Sequence, residues 1–156
     1  MPKYNSESLI PVIKELEFFI QFKDRRKASI SNSDVAWQID HSLKVINLVI
    51  EAVVTSNPKL YKWKFNKWRL FLFTIGYIPR GKARAPIIVQ PPEIIADEDL
   101  NIQINLAYNS IDCLKPIDKN ANFTHFVFGQ LNKRKSIQFL KLHTNHHLKI
   151  IKDILK

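Results

Sequence analysis

Three of the five histidines of this chain lie within HTNHHLKI, from His143 to Ile150. At about 100° per residue, a helix places His143 and His147 on the same apolar arc as Leu148, whereas His146 falls at the edge of that arc. Two inward imidazoles spaced four residues apart can bind one metal ion. The spacing alone is a weak signal, because buried histidines that hydrogen-bond to other side chains are common.

A third imidazole comes from the stretch WQIDHSLKVI. On a helix, His41 lies beside Trp37 on the apolar side, while the polar face carries Asp40, Lys44, Asn47 and Glu51. An inward histidine on each of two helices that must pack together favours a shared site. From the residues alone, two alternatives stay open: a metal site formed by His41, His143 and His147, and a hydrogen-bonded polar core.

Apolar periodicity predicts four long helices that would position these histidines. The first follows Ser6 to Ser8 and ends near Phe22, and the second covers about residues 34–55 with Ser33 as its N-cap. The third begins near residues 97–99, and the last extends from about Asn132 almost to Lys156. Five residues form the expected buried seam of the third helix: Leu100, Ile104, Ala107, Ile111 and Leu114. With only three glycines, the pattern favours an all-α protein.

About 40 residues connect the second and third of these helices, which is long for a compact domain. This connection contains a predicted short helix, about Trp68 to Ile75, and a proline-rich loop. Such a length can cross a bundle from one end to the other, so the helices need not run simply up and down. The chain length predicts a single domain over residues 1–156.

Two stretches together resemble the DinB-like superfamily of four-helix bundles, AWQIDHSLKVI and, later in the chain, LHTNHHLKII. PRGKARAP and FTHFVFGQLNKRKSIQFLKLHTNHHL are similar to a branch of unknown function. The resemblance implies a DinB-like four-helix bundle with a long crossover connection between helices two and three. It also implies a metal held by His41, His143 and His147. The branch usually has proline after the loop histidine, where this chain has Phe126, so no role is carried onto His125.

The resemblance implies a metal-dependent enzyme that acts on a small-molecule substrate, either a transferase that uses a low-molecular-weight thiol or a hydrolase. Three neutral imidazoles leave the charge of a divalent ion uncompensated and a coordination position open. Zinc, nickel, iron and manganese are not distinguished by these ligands. The alternatives are a non-enzymatic binding module and a metal-free bundle with structural histidines.

The other candidate functional residues each have a structural interpretation beside the functional one. Arg80 and Lys82 could clamp an anionic ligand, and a solvated loop explains them equally well. Cys113 is expected to be a small buried hydrophobe, since no basic neighbour would activate it.

The stretch YKWKFNKWR interleaves rings with cations, as binders of single-stranded nucleic acid do. An amphipathic connector whose lysine stems lie along its own aromatic rings is the favoured interpretation. The net charge of +10 is spread along most of the chain, so no specific nucleic-acid partner is expected.

No signal peptide is recognisable, and the longest apolar run, LFLFTIGYI, has about half the length of a membrane span. We therefore expect a cytoplasmic protein without a membrane partner. The second helix carries an unusually wide apolar face, which predicts a homodimer. That face consists of Val35, Ile39, Ile46, Val49, Ile50 and Val53.

Overall fold

The computed structural model describes residues 4–81 and 86–156. Over these ranges the chain is mostly helical, with five α-helices and one small antiparallel sheet. The helices are α1 (Ile10–Phe19), α2 (Val35–Thr55), α3 (Lys67–Ile75), α4 (Asp97–Leu114) and α5 (Lys133–Leu155). Two strands, β1 (Asn122–His125) and β2 (Gly129–Asn132), lie between α4 and α5. The predicted positions of the four long helices and of the short one are confirmed.

The core forms where α2 packs against both α4 and α5, and α1 packs against the same two helices. All five residues of the seam predicted for α4 are buried. The wide apolar face of α2 is also buried, because the helices of the same chain cover it. This face therefore no longer argues for a homodimer, which stays a prediction without that support.

Part of the polar face of α2, at Asp40 and Asn47, contacts α4. The Asp40 side chain is buried, where it accepts a hydrogen bond from Gln103 Nε2 (2.7 Å) and pairs with Lys44 Nζ (2.7 Å). Asn47 Nδ2 donates to the Gln103 carbonyl (3.2 Å). The N-cap of α2 is Asp34, whose Oδ1 accepts from Trp37 N (2.8 Å), so the prediction of Ser33 is wrong by one residue.

Two sequence predictions need correction: the chain is mostly rather than entirely helical, and Cys113 is not buried. An all-α chain was expected, whereas β1 and β2 form a hairpin with Asn122 opposite Asn132 and His125 opposite Gly129. Cys113 is exposed, because it lies roughly 200° around α4 from the buried Ile111.

The connection between α2 and α4 contains α3 and, after it, a segment whose main-chain carbonyls accept hydrogen bonds from lysines. Lys23 Nζ donates to the Ile95 carbonyl (3.0 Å), and Lys44 Nζ donates to the Gln90 carbonyl (3.4 Å). In the part of the chain that the structure describes, no helix is both long and apolar enough to cross a membrane.

Candidate metal centre

The packing of α2 against α5 brings His41 to His143 and His147. One ring nitrogen of each histidine lies within 4.8 Å of the others. The ring centroids are 5.1 Å apart for His41 and His143, 4.8 Å for His41 and His147, and 4.6 Å for His143 and His147. A shared ion bound at about 2 Å from each nitrogen would draw the rings somewhat closer. The three histidines that the sequence singled out are therefore close enough for a metal site.

Two of the rings are oriented by hydrogen bonds from their Nδ1 atoms. His41 Nδ1 lies 2.8 Å from the Val89 carbonyl, and His147 Nδ1 lies 2.7 Å from Gln38 Oε1. The Gln38 amide nitrogen donates to Ser31 Oγ (3.3 Å), which fixes the amide with its oxygen toward the ring. Because both partners are acceptors, each Nδ1 carries the proton and each Nε2 keeps a lone pair for a ligand bond.

The His143 ring has a different arrangement. Its Nδ1 atom is buried and has no hydrogen-bond partner in the described part of the chain. A buried polar atom without a partner costs about 1–3 kcal/mol, which a bound cation would offset. This orphaned nitrogen, beside two rings that present Nε2, fits a divalent cation.

Burial keeps all three imidazoles in the form that binds metals. It lowers the pKa of His41, against smaller opposing effects of the Val89 carbonyl and Asp40. Burial, followed by repulsion from the neighbouring histidines, holds the pKa values of His143 and His147 well below 6.5. The rings are therefore neutral at neutral pH, so no proton competes with a metal there.

Aromatic side chains border the cluster on two sides. The Trp37 ring stacks on His41 with centroids 4.9 Å apart, and Phe139 lies 5.6 Å from His143. These apolar rings lower the local dielectric and restrict access of water to the imidazoles.

His146 lies outside this group of three. It is half-buried rather than fully at the surface, with its ring centroid 5.1 Å from that of His147. Burial lowers the pKa of His146, and the main chain of Ile78 partly opposes that effect.

The anion clamp of Arg80 and Lys82 stays a prediction. The Arg80 guanidinium is paired with Asp153 Oδ2 (2.7 Å), so its charge is already compensated. Lys82 lies outside the described residues.

His125, whose role the sequence left open, closes the turn of the hairpin. Its Nδ1 accepts from Val127 N (3.1 Å) and Phe128 N (3.3 Å), and its ring stacks between Phe126 and Phe128. Burial lowers the pKa of His125 to about 4, which keeps Nδ1 available as an acceptor.

Sequence reasoning missed Gln38 and Val89, which orient two of the imidazoles. Gln38 had a visible signal, since it is a polar residue three positions before His41 on the apolar side of the helix. Val89 contributes only its carbonyl, so its side chain gives no indication.

The fold and the site define a mostly helical protein with a group of three neutral histidines, two of them buried and one half-buried. A family model described as "Protein of unknown function (DUF1569)" matches residues 19–153, and the chain belongs to that family. No curated protein and no solved structure matches the chain.

Proposed function

We propose that the protein binds one divalent metal ion through His41, His143 and His147, as a DinB-like member of its family. The convergence of three neutral imidazoles from α2 and α5, one of them with an orphaned nitrogen, carries this proposal. A purely structural role would leave the His143 nitrogen unpaired at a cost.

The helix arrangement supports a DinB-like four-helix bundle. α1, α2, α4 and α5 share one core, and the long connection through α3 lies between α2 and α4. Such a connection is what a crossover between the second and third long helices requires.

A metal ion bound at three neutral imidazoles supplies an uncompensated positive charge and an open position for a water or a thiolate. The chain's own residues prepare the site: the Val89 carbonyl and Gln38 fix two rings, while Trp37 and Phe139 restrict water. On these grounds we favour a metal-dependent transferase or hydrolase that acts on a small molecule.

Metal content tests the proposal directly. Protein purified without a histidine tag is loaded in turn with zinc, nickel, iron and manganese, dialysed, and analysed for metal. We expect about one ion per chain for at least one metal, and a ratio near zero for His143→Ala, because a three-ligand site loses one of three bonds. His146→Gln is the matched control on the same helix and should retain the ion. A metal-free unmutated protein under all four conditions would leave the structural-histidine alternative.

An open coordination position separates an enzyme-like site from a closed one. Cobalt(II) substituted into the site gives visible absorption bands that report its ligands. Addition of a small thiol such as 2-mercaptoethanol should add a thiolate-to-cobalt band if the position is open. A cobalt-loaded protein whose spectrum changes with neither thiol nor azide would contradict the enzyme-like proposal and favour a closed binding site.

A further inference from the structure

One stretch of the chain carries most of its net charge. Between Glu51 and Glu93 the sequence contains no acidic residue and eight basic ones, so this stretch contributes +8 of the net +10. Three of these cations, Lys62, Lys64 and Lys67, are exposed around the start of α3. The charge is therefore more concentrated than the sequence interpretation allowed.

The same region exposes large apolar side chains. Leu70 and Phe71 on the outer face of α3 are 60% and 56% exposed, whereas Arg69 and Phe73 occupy its buried side. Trp63 and Phe65, which precede the helix, and Trp68 within it are also exposed. Lys67 Nζ lies over the Trp68 ring, 5.7 Å from its centroid, as the amphipathic-connector interpretation expects, but more than half of each of these side chains is exposed. We call the set the basic apolar surface: Lys62, Trp63, Lys64, Phe65, Lys67, Trp68, Leu70 and Phe71.

This surface is held in place by the hairpin. Arg69 Nη1 donates to the Phe128 and Gln130 carbonyls (both 3.2 Å), and Arg69 Nη2 donates to the Lys64 carbonyl. Asn66, the N-cap of α3, donates through Nδ2 to the Val127 carbonyl (2.8 Å). These contacts hold α3 against the hairpin with Leu70 and Phe71 exposed, so the exposure of the apolar side chains follows from the fold.

We propose that the basic apolar surface binds anionic lipid bilayers as a peripheral contact. Tryptophan, phenylalanine and leucine partition into the bilayer interface, and lysines beside them are attracted to anionic headgroups. α3 has nine residues, about 14 Å of helix, so it can lie in the interface but cannot span the membrane. The proposal replaces the expectation of no membrane partner and is independent of the metal site.

Charge and shape favour a bilayer over two other occupants. A second copy docked on this surface would bring two sets of cations together with no acidic residue in the stretch to compensate them. Single-stranded nucleic acid stacks on successive aromatic rings, whereas Leu70, which is 60% exposed next to Phe71, adds apolar area that offers no ring to a base.

Vesicle sedimentation with the full chain tests the proposal. Vesicles of phosphatidylcholine alone are compared with vesicles that contain about 30% phosphatidylserine, a composition with a negative surface potential. We expect partitioning at least about tenfold stronger on the anionic vesicles, with a loss of about tenfold when salt rises from about 0.1 to 0.5 M. Equal sedimentation with both compositions, or none with either, would overturn the proposal.

Paired variants locate the contact. Leu70→Ala with Phe71→Ala should weaken partitioning by about tenfold or more, because two interfacial side chains are removed. The matched control is Ile102→Ala with Leu106→Ala on α4, where the side chains are 59% and 52% exposed and partitioning should not change. Equal losses in both pairs would overturn the assignment to this surface. Thermal melts check that both pairs fold.

Two further measurements exclude the other occupants. Tryptophan emission should shift to shorter wavelength on anionic vesicles, and Trp63→Phe with Trp68→Phe should abolish the shift while vesicle binding persists. An oligo-dT of 20 nucleotides, which offers about one to several binding sites, should bind more weakly than the anionic vesicles. Tighter binding of the oligonucleotide would overturn the proposal in favour of nucleic acid. A dimer in light scattering that Leu70→Ala with Phe71→Ala dissociates would overturn it in favour of a second copy.

Discussion

The histidine cluster and the basic apolar surface depart from the usual distribution of side chains in opposite directions. The first encloses three imidazoles between α2 and α5, two of them buried and His143 half-buried, and the second exposes large apolar side chains around α3. Main-chain carbonyls hold polar groups in both regions, at Val89 for His41 and at Phe128 for Arg69. The cluster leaves one nitrogen of His143 without a hydrogen-bond partner among the described residues, whereas the basic apolar surface leaves large apolar side chains exposed. This difference indicates a cation for one and an apolar, anionic partner for the other.

The largest stability effect is expected beneath the basic apolar surface. Replacement of Arg69 by Met should lower the free energy of unfolding by about 2–4 kcal/mol, because three carbonyls lose a charged donor. Urea unfolding measures this change. Lys67→Met on the exposed face of the same helix is the control, with an expected effect within about 0.5 kcal/mol. Equal stability of the Arg69 and Lys67 variants would mean that the hairpin does not hold the surface.

A smaller effect is expected at the histidine cluster. Gln38→Leu removes the acceptor of His147 Nδ1 and should lower metal affinity about 10–100-fold, since outer partners orient metal-binding imidazoles. Competition with a chromophoric chelator measures the affinity.

Two control variants test whether the effect of Gln38→Leu comes from the lost acceptor. Gln38→Glu keeps an oxygen acceptor and should preserve the affinity. Ser42→Ala removes the hydroxyl that donates to the Gln38 carbonyl (2.7 Å) without touching an imidazole, and should also preserve it. Unchanged affinity in Gln38→Leu would show that this hydrogen bond does not orient the ligand.

The smallest effect concerns acid stability at the hairpin that joins the two regions. The pKa of His125 is lowered to about 4 in the folded chain, against about 6.5 when unfolded. Above pH 6.5 the ring is neutral in both states and contributes no pH dependence. Between about pH 6.5 and 4 only the unfolded chain takes up this proton, so stability falls as the pH falls.

His125→Asn keeps an acceptor for the turn and removes the titration. The variant should therefore lose about 1–2 kcal/mol less stability than the unmutated chain between pH 7 and 4, a range that allows for the partial exposure of the ring. Urea unfolding of metal-free protein at both pH values measures the difference. A variant that loses as much stability as the parent would contradict the assigned pKa shift.

The parts that sequence predicted well rest on repeated local signals. The seam from Leu100 to Leu114 follows helical periodicity, and all its residues are buried. Asn132 at the N-cap of α5 accepts from Lys135 N (3.0 Å), as a helix beginning near that residue requires. The three-histidine grouping followed from the same periodicity applied to α2 and α5.

The parts that sequence missed depend on non-local contacts. β1 and β2 have four residues each and bury a single position each, so no period of two was visible. Asp40 belongs to a polar face by periodicity, and only the contact with Gln103 of α4 shows that its side chain is buried. The outward direction of α3 likewise depends on Arg69 reaching the hairpin.

The bond between His41 and the Val89 carbonyl makes one part of the site insensitive to point substitution. Every amino acid has a main-chain carbonyl, so no exchange at position 89 deletes the acceptor itself. An insertion or deletion between α3 and α4 would instead shift that carbonyl by about 3 Å or more per residue, beyond hydrogen-bond range. In relatives with the same arrangement, protonation of His41 at Nδ1 therefore depends on the length of the segment between α3 and α4 rather than on the side chain at position 89.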